Sequence, residues 1–126
     1  MSELELSRLA AEQARSPAVR AFARHMVQDH AQNASELEII AAHENITLPE
    51  TVSDEHAQLR NELTRERGSR FDNTYMNAML TDHQALARVL RASEAAVSTD
   101  ELRAYVRRTL SMLELHLRMA DDIPIQ

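Results

Sequence analysis

Cysteine is absent from this chain of 126 residues, which excludes disulfides, a thiolate nucleophile, iron–sulfur clusters and Cys-based zinc knuckles. It leaves the redox compartment open. Lysine is absent as well: all 14 basic residues are arginine, so Schiff-base chemistry of the PLP or aldolase type is ruled out. One glycine, Gly68, is too few for a Walker loop, a GxGxxG fingerprint or a GxSxG nucleophile elbow. Aromatic residues make up only 3% and there are three prolines. A folded chain with so few turn formers needs few turns, and a composition rich in Ala, Leu, Arg and Glu points to long helices. No apolar run reaches membrane length, so membrane insertion is not expected. The net charge of −6, without any basic run, gives no field to draw nucleic acid or anionic lipid.

What is present reads as five helical segments in one domain, 1–126. The first, about Glu3–Arg15, ends at "SP", where Ser16 caps the next helix and Pro17 takes its first position. The second runs to about Glu44 with Val19, Phe22, Ala23, Met26, Val27, Ala34, Leu37, Ile40 and Ala41 on one stripe. "NITLPET" is a connector. A shorter helix follows, capped by Ser53 or Asp54 and closed by Gly68. The fourth spans about Ser69–Val97, and after "STD" the last spans about Asp100–Asp121. Four long helices and a short connecting one make a helical bundle, with a frayed tail from Pro124.

Within that pattern, "HMVQDH" at 25–30 returns as "AMLTDH" at 78–83, which also aligns Phe22 with Tyr75 and Val27 with Leu80. A packing repeat needs only the apolar positions to recur; here an Asp-His pair recurs with them. His30, His83 and His116 each sit on the apolar stripe of a different long helix. At 1.5 Å per residue His30 and His83 lie about 20 and 21 Å from the starts of their helices, and His83 and His116 lie about 21 and 24 Å either side of the "STD" turn, which is one level at mid-bundle. Glu5 or Glu3 precedes the "SP" turn by about 16 to 20 Å, bringing a carboxylate to that layer. His25 and His43 fall off the stripes and read as solvated, while His56 lies on the stripe of the short helix.

Imidazole is the commonest side-chain metal ligand, and three with a carboxylate or water make a four-coordinate site. Asp29 and Asp82, about 100° round the helix from their histidines, are placed to accept the second ring N–H of a ligand on a neighbouring helix. Met26, Met79 and Met112 stand four residues before the three histidines, on the same faces, and thioether with imidazole would suit copper. Against this, Met on a stripe is more often core filler, and core histidines also serve as plain hydrogen-bonded structural residues. A di-iron site of the Glu-x-x-His kind is not written here: the residues three before each histidine are Phe22, Val27, Ile40, Ser53, Leu80 and Leu113.

The segments "ELELSRLA", "SPAVRAFARHMVQDH", "LP", "FDNTYMNAMLTDHQ", "ELRAYVRRTL" and "LHL" resemble successive motifs of the domain of unknown function 4142 family. The resemblance covers nearly the whole chain and implies an all-α, ferritin-like four-helix bundle with an additional short connecting helix. It places Glu5, Asp29, His30, His56, Asp82, His83 and His116 on motif positions. It implies no settled activity, and it implies export to the periplasm or outer membrane. "MSELELSRLA" has no apolar h-region and is not a signal peptide; a native start would mean a cytoplasmic chain.

The expectation is therefore a metal-binding bundle with His30, His83, His116 and Glu5 as ligands. Asp29, Asp82, His56, Met26, Met79 and Met112 would stand around them. Zinc or copper fits the donor set better than iron, which the fold type keeps open. The alternative is a non-catalytic structural or stress-related module, in which the His and Asp residues form a hydrogen-bond network. A homo-oligomer is open under either reading.

Overall fold

The structure, a computed structural model, describes residues 2–43, 54–94, 97 and 99–124, with the side chains of 2–3 and 54–56 left out. Five helices are present among the described residues, and no strand: α1 (Ser2–Gln13), α2 (Pro17–His43), α3 (Asp54–Arg65), α4 (Gly68–Ser93) and α5 (Asp100–Asp121). The chain is all-α, as its composition requires. The ends of α1, α2 and α4 differ from the sequence reading by up to four residues, the largest difference being the end of α4, at Ser93 instead of Val97. "NITLPET" and Ser53 fall outside the described residues.

Three junctions explain where the helices start. Ser16 Oγ accepts the Val19 N–H at 3.4 Å, with Pro17 opening α2. Thr99 accepts the Leu102 N–H at 3.1 Å at the start of α5, where Asp100 and Glu101 meet the positive end of the helix dipole. Gly68, the first residue of α4, takes φ 64, a left-handed conformation that a Cβ would strain.

The α1–α2 turn is held from both sides. The buried Asp72 of α4 accepts the Arg15 and Ser16 N–H groups, one on each carboxylate oxygen, both at 2.8 Å. Arg20 donates to the Ala14 and Arg15 carbonyls at 2.9 and 2.8 Å. Hydrogen bonds to a charged acceptor contribute about 1.5–3 kcal/mol each, and Asp72→Ala would also leave two amides without a partner. Asp72→Ala is therefore expected to cost about 3 kcal/mol, lowering the melting temperature by about 11 °C. A shift under 3 °C in a calorimetric scan would contradict this account of the turn.

α1 lies against α2 and α4, and α5 lies against the same two. The four helices thus follow one another in a ring, α1–α2–α5–α4, with α3 against α1 and α4. Residues of α2 and α4 meet across the diagonal, as in the edge-to-face pair of Phe22 and Tyr75 at 6.3 Å.

The core has two parts. The larger joins Leu6 and Ala10 of α1, and Ala14 just beyond it, to Phe22 and Met26, Leu63, Phe71, Tyr75, Met79 and Ala120. The smaller contains Ile40, Tyr105 and Val106, with Leu90 packed against it, and takes no buried residue from α1. Along α2, α4 and α5 alike, a histidine follows the last residue of the larger part on the way to the smaller one: His30 after Met26, His83 after Met79, and His116 between Ala120 and Val106. A polar layer separates two apolar ones.

Candidate metal centre

His30, His83 and His116 are 7, 2 and 0% exposed, which is unusual for a titratable residue. Their rings form a nearly equilateral triangle, with centroids 5.4 Å (His30–His83), 5.5 Å (His30–His116) and 5.3 Å (His83–His116) apart. Each ring presents one nitrogen to the others, and these three atoms lie within 4.8 Å of one another. Helical rise put the histidines at one level; the stripe on each helix turned them inward.

The contacts around the triangle run in a chain. His83 Nδ1 is 2.8 Å from the Met79 carbonyl, His83 Nε2 is 3.2 Å from His116 Nδ1, and His116 Nε2 is 2.8 Å from Asp29 Oδ2. A carbonyl only accepts, so His83 carries its proton on Nδ1 and offers a lone pair at Nε2. A carboxylate also only accepts, so the same reasoning puts the proton of His116 on Nε2 and a lone pair on Nδ1. Two lone pairs then face each other at 3.2 Å. Three contacts need three protons, and two neutral imidazoles carry two. One further cation, a proton or a metal ion, completes the chain.

A proton is a poor candidate. Burial lowers the pKa of His30 from 6.5 to about 4, His83 and His116 push it the same way, and Asp29 opposes them. Burial and then His116 bring His83 to about 4, against the pull of the Met79 carbonyl and of Asp82. His116 is lowered by burial despite its hydrogen bond to Asp29. The set is neutral at pH 7, the form that binds metal.

The remaining candidates fall in different places. Asp29 on α2 faces His116 on α5, as above, and Asp82 acts on His83 through its charge. Glu5, expected as a fourth ligand, lies elsewhere: its Oε2 is 3.0 Å from Arg60 Nη1, beside the cleft of about 410 Å³ between α1 and α3. The inward face of α1 is Leu6, Ser7 and Ala10, and Glu5 is turned off it toward α3. Met26 and Met79 belong to the apolar core, with the Met79 sulfur 4.0 Å from Ser7 Oγ, and Met112 is half-buried. His56 lies in α3 with its side chain outside the described residues, as does that of Glu3 in α1. His43 is exposed and pairs with Glu101 at 3.0 Å.

His25, set aside in the sequence reading as solvated, is partly exposed and stands beside the triangle. Its Nε2 is 3.0 Å from Asp29 Oδ2, and its ring stands edge-on to His116 at 5.8 Å. The signal was there, one turn before Asp29 on the same helix face, but it sits off the apolar stripe.

A family model described as "Domain of unknown function (DUF4142)" matches residues 1–123. This chain belongs to that family. The match spans all five helices, so in this DUF4142 domain the histidine triangle and the Asp72 clamp both lie within the family's domain. Neither the curated proteins nor the solved structures contain a match to it. No helix among the described residues is long and apolar enough to cross a membrane.

Proposed function

We propose that this domain binds one divalent transition-metal ion, zinc before copper or iron, in a ferritin-like four-helix bundle. His30, His83 and His116 are the ligands, with water or a small anion in the fourth position. The observation that carries the reading is the convergence of three buried imidazoles, one nitrogen of each within 4.8 Å of the others, inside the chain of contacts from Met79 to Asp29. In that chain the second N–H of His83 goes to a carbonyl and that of His116 to a carboxylate. Histidine ligands of metals are oriented in this way. Tetrahedral zinc with bonds of about 2.05 Å sets its nitrogens about 3.3 Å apart, against 3.2 Å between His83 Nε2 and His116 Nδ1.

Zinc is named first because the donors are imidazoles without thioether, which weakens the case for copper(I). Iron is disfavoured by the lack of Glu-x-x-His pairs and by the position of Glu5 on Arg60. Holding or handling the ion fits better than catalysis, since all three ligands are buried.

The hydrogen-bond chain itself favours a second reading, a structural network in a non-catalytic module. That reading has to supply the third proton to a set of rings whose burial expels protons. Elemental analysis separates the two. Tag-free protein, stripped with chelator, titrated with zinc and desalted, is expected to retain close to one zinc per chain. A His30→Ala/His83→Ala/His116→Ala variant that keeps its helicity should retain none. Each lost ligand is expected to weaken binding by about 10²–10³-fold, its share of the 10–16 kcal/mol typical of structural zinc sites. If the wild type retains no ion after titration with zinc, copper or iron, the proposal is wrong.

A further inference from the structure

We infer a second, outer ion position made by His25, Asp29 and His116, which exchanges its ion with the buried position through the shared His116 ring. The three ligand atoms lie within 4.8 Å of one another. Asp29 Oδ2 is at their centre, 2.8 Å from His116 Nε2 and 3.0 Å from His25 Nε2. His25 and Asp29 are one turn apart on α2 and so present their donors from a single face. Two imidazoles and one carboxylate form a donor set of the kind that zinc takes when it keeps an open position for water.

The two positions differ in exposure. The side chains of His25 and Asp29 are 40 and 27% exposed, whereas the triangle behind them is buried. An ion arriving from solvent meets the outer group first. His116 belongs to both, with Nε2 facing Asp29 and Nδ1 facing His83.

A neutral imidazole has one lone pair and one N–H, so it serves one ion at a time. With the ion inside, His116 binds through Nδ1 and its Nε2–H donates to Asp29. With the ion outside, His116 binds through Nε2 and its Nδ1–H donates to His83 Nε2, while His83 Nδ1–H donates to the Met79 carbonyl. Either arrangement completes the same three contacts.

Transfer inward breaks the bonds from the ion to His25, Asp29 and His116 Nε2. It forms bonds to His30, His83 and His116 Nδ1. One proton leaves Nδ1 for solvent, and one is taken from solvent at Nε2. Charge and proton number are unchanged, and no redox partner is needed. The domain would then hold one ion per chain and load it in two stages.

This inference rests on the reading of the buried histidines as an ion position, and the test keeps the two apart. The probes are zinc for stoichiometry and cobalt(II) for its visible spectrum. The wild type is expected to bind one ion per chain at saturation. His30→Ala/His83→Ala should still bind one, about 10²-fold or more weakly and with a different cobalt spectrum. Adding His25→Ala to that variant should remove it. His25→Ala alone should reach the one-ion endpoint at least about ten-fold more slowly in stopped-flow mixing, the loss expected for a missing supporting ligand.

No ion on His30→Ala/His83→Ala, with one on the wild type, overturns the outer position and leaves the buried one standing. Two ions on the wild type overturn the exchange. No ion on any of the proteins overturns the buried site and the outer position together. If circular dichroism shows that the double variant has lost its helices, His30→Gln/His83→Gln takes its place, with the same outcomes deciding.

Discussion

Metal-free protein is expected to lose about 4 kcal/mol of unfolding free energy between pH 7 and pH 5, before most carboxylates titrate. His30 and His83 each ionise near pH 6.5 in the unfolded chain and near 4 in the folded one. Between those values the unfolded chain binds more protons than the folded chain, so stability falls as pH falls. The contribution is fully present above pH 6.5 and is about 2 kcal/mol lower for each residue at pH 5. By pH 4 the loss approaches about 3 kcal/mol for each and then levels off, because the folded form begins to protonate as well.

The groups acting on these rings are His116 from α5, Asp29 and His25 from α2, and Asp82 from α4. The two aspartates and the Met79 carbonyl favour protonation of the triangle, and burial outweighs them. Urea unfolding in chelator at pH 7, 6 and 5 reads the effect directly. A His30→Gln/His83→Gln variant should show a much flatter curve. Wild-type stability that is constant over this window would mean that the rings are solvated in the folded protein.

Zinc is expected to act in the opposite direction. A ligand that binds only the folded state at a thousand times its dissociation constant stabilises it by about 4 kcal/mol. For a domain of this size that raises the melting temperature by about 15 °C. His30→Ala/His83→Ala should gain much less at the same zinc concentration, because only weaker binding remains. Calorimetry at pH 7 with and without zinc is the measurement, and an unchanged melting temperature in the wild type would count against the buried position.

Much of this layout was legible beforehand, for identifiable reasons. Apolar residues three and four apart located the five helices, and helical rise placed His30, His83 and His116 at one level. Rise gives height but not direction. Glu5 had the right height, yet α1 turns Leu6, Ser7 and Ala10 inward and leaves Glu5 to Arg60. Leu86 keeps helical spacing with Met79, His83 and Leu90 yet is 38% exposed, and it lies beyond His83 toward the half in which α1 buries nothing.

Asp72 carried no local signal, because the amides that it holds belong to Arg15 and Ser16, far away along the chain. His25 could have been found from its spacing to Asp29, had it been judged by its neighbour instead of by its distance from the apolar stripe.

The division of the core by a polar layer bears on cooperativity. The part beyond the histidines rests on Ile40, Tyr105 and Val106, and on the hydrogen bonds Tyr105–Asn33 at 2.7 Å and Asn33–Thr109 at 2.8 Å. Small apolar clusters of this kind open at a fraction of the global free energy and exchange their amide hydrogens early. Without an ion in that layer, the end of α2 and the start of α5 are expected to open as a subunit of folding apart from the α1 half. On the proposed reading, an ion held by α2, α4 and α5 at the boundary would tie the halves together, and occupancy would set whether the helices melt as one unit or as two.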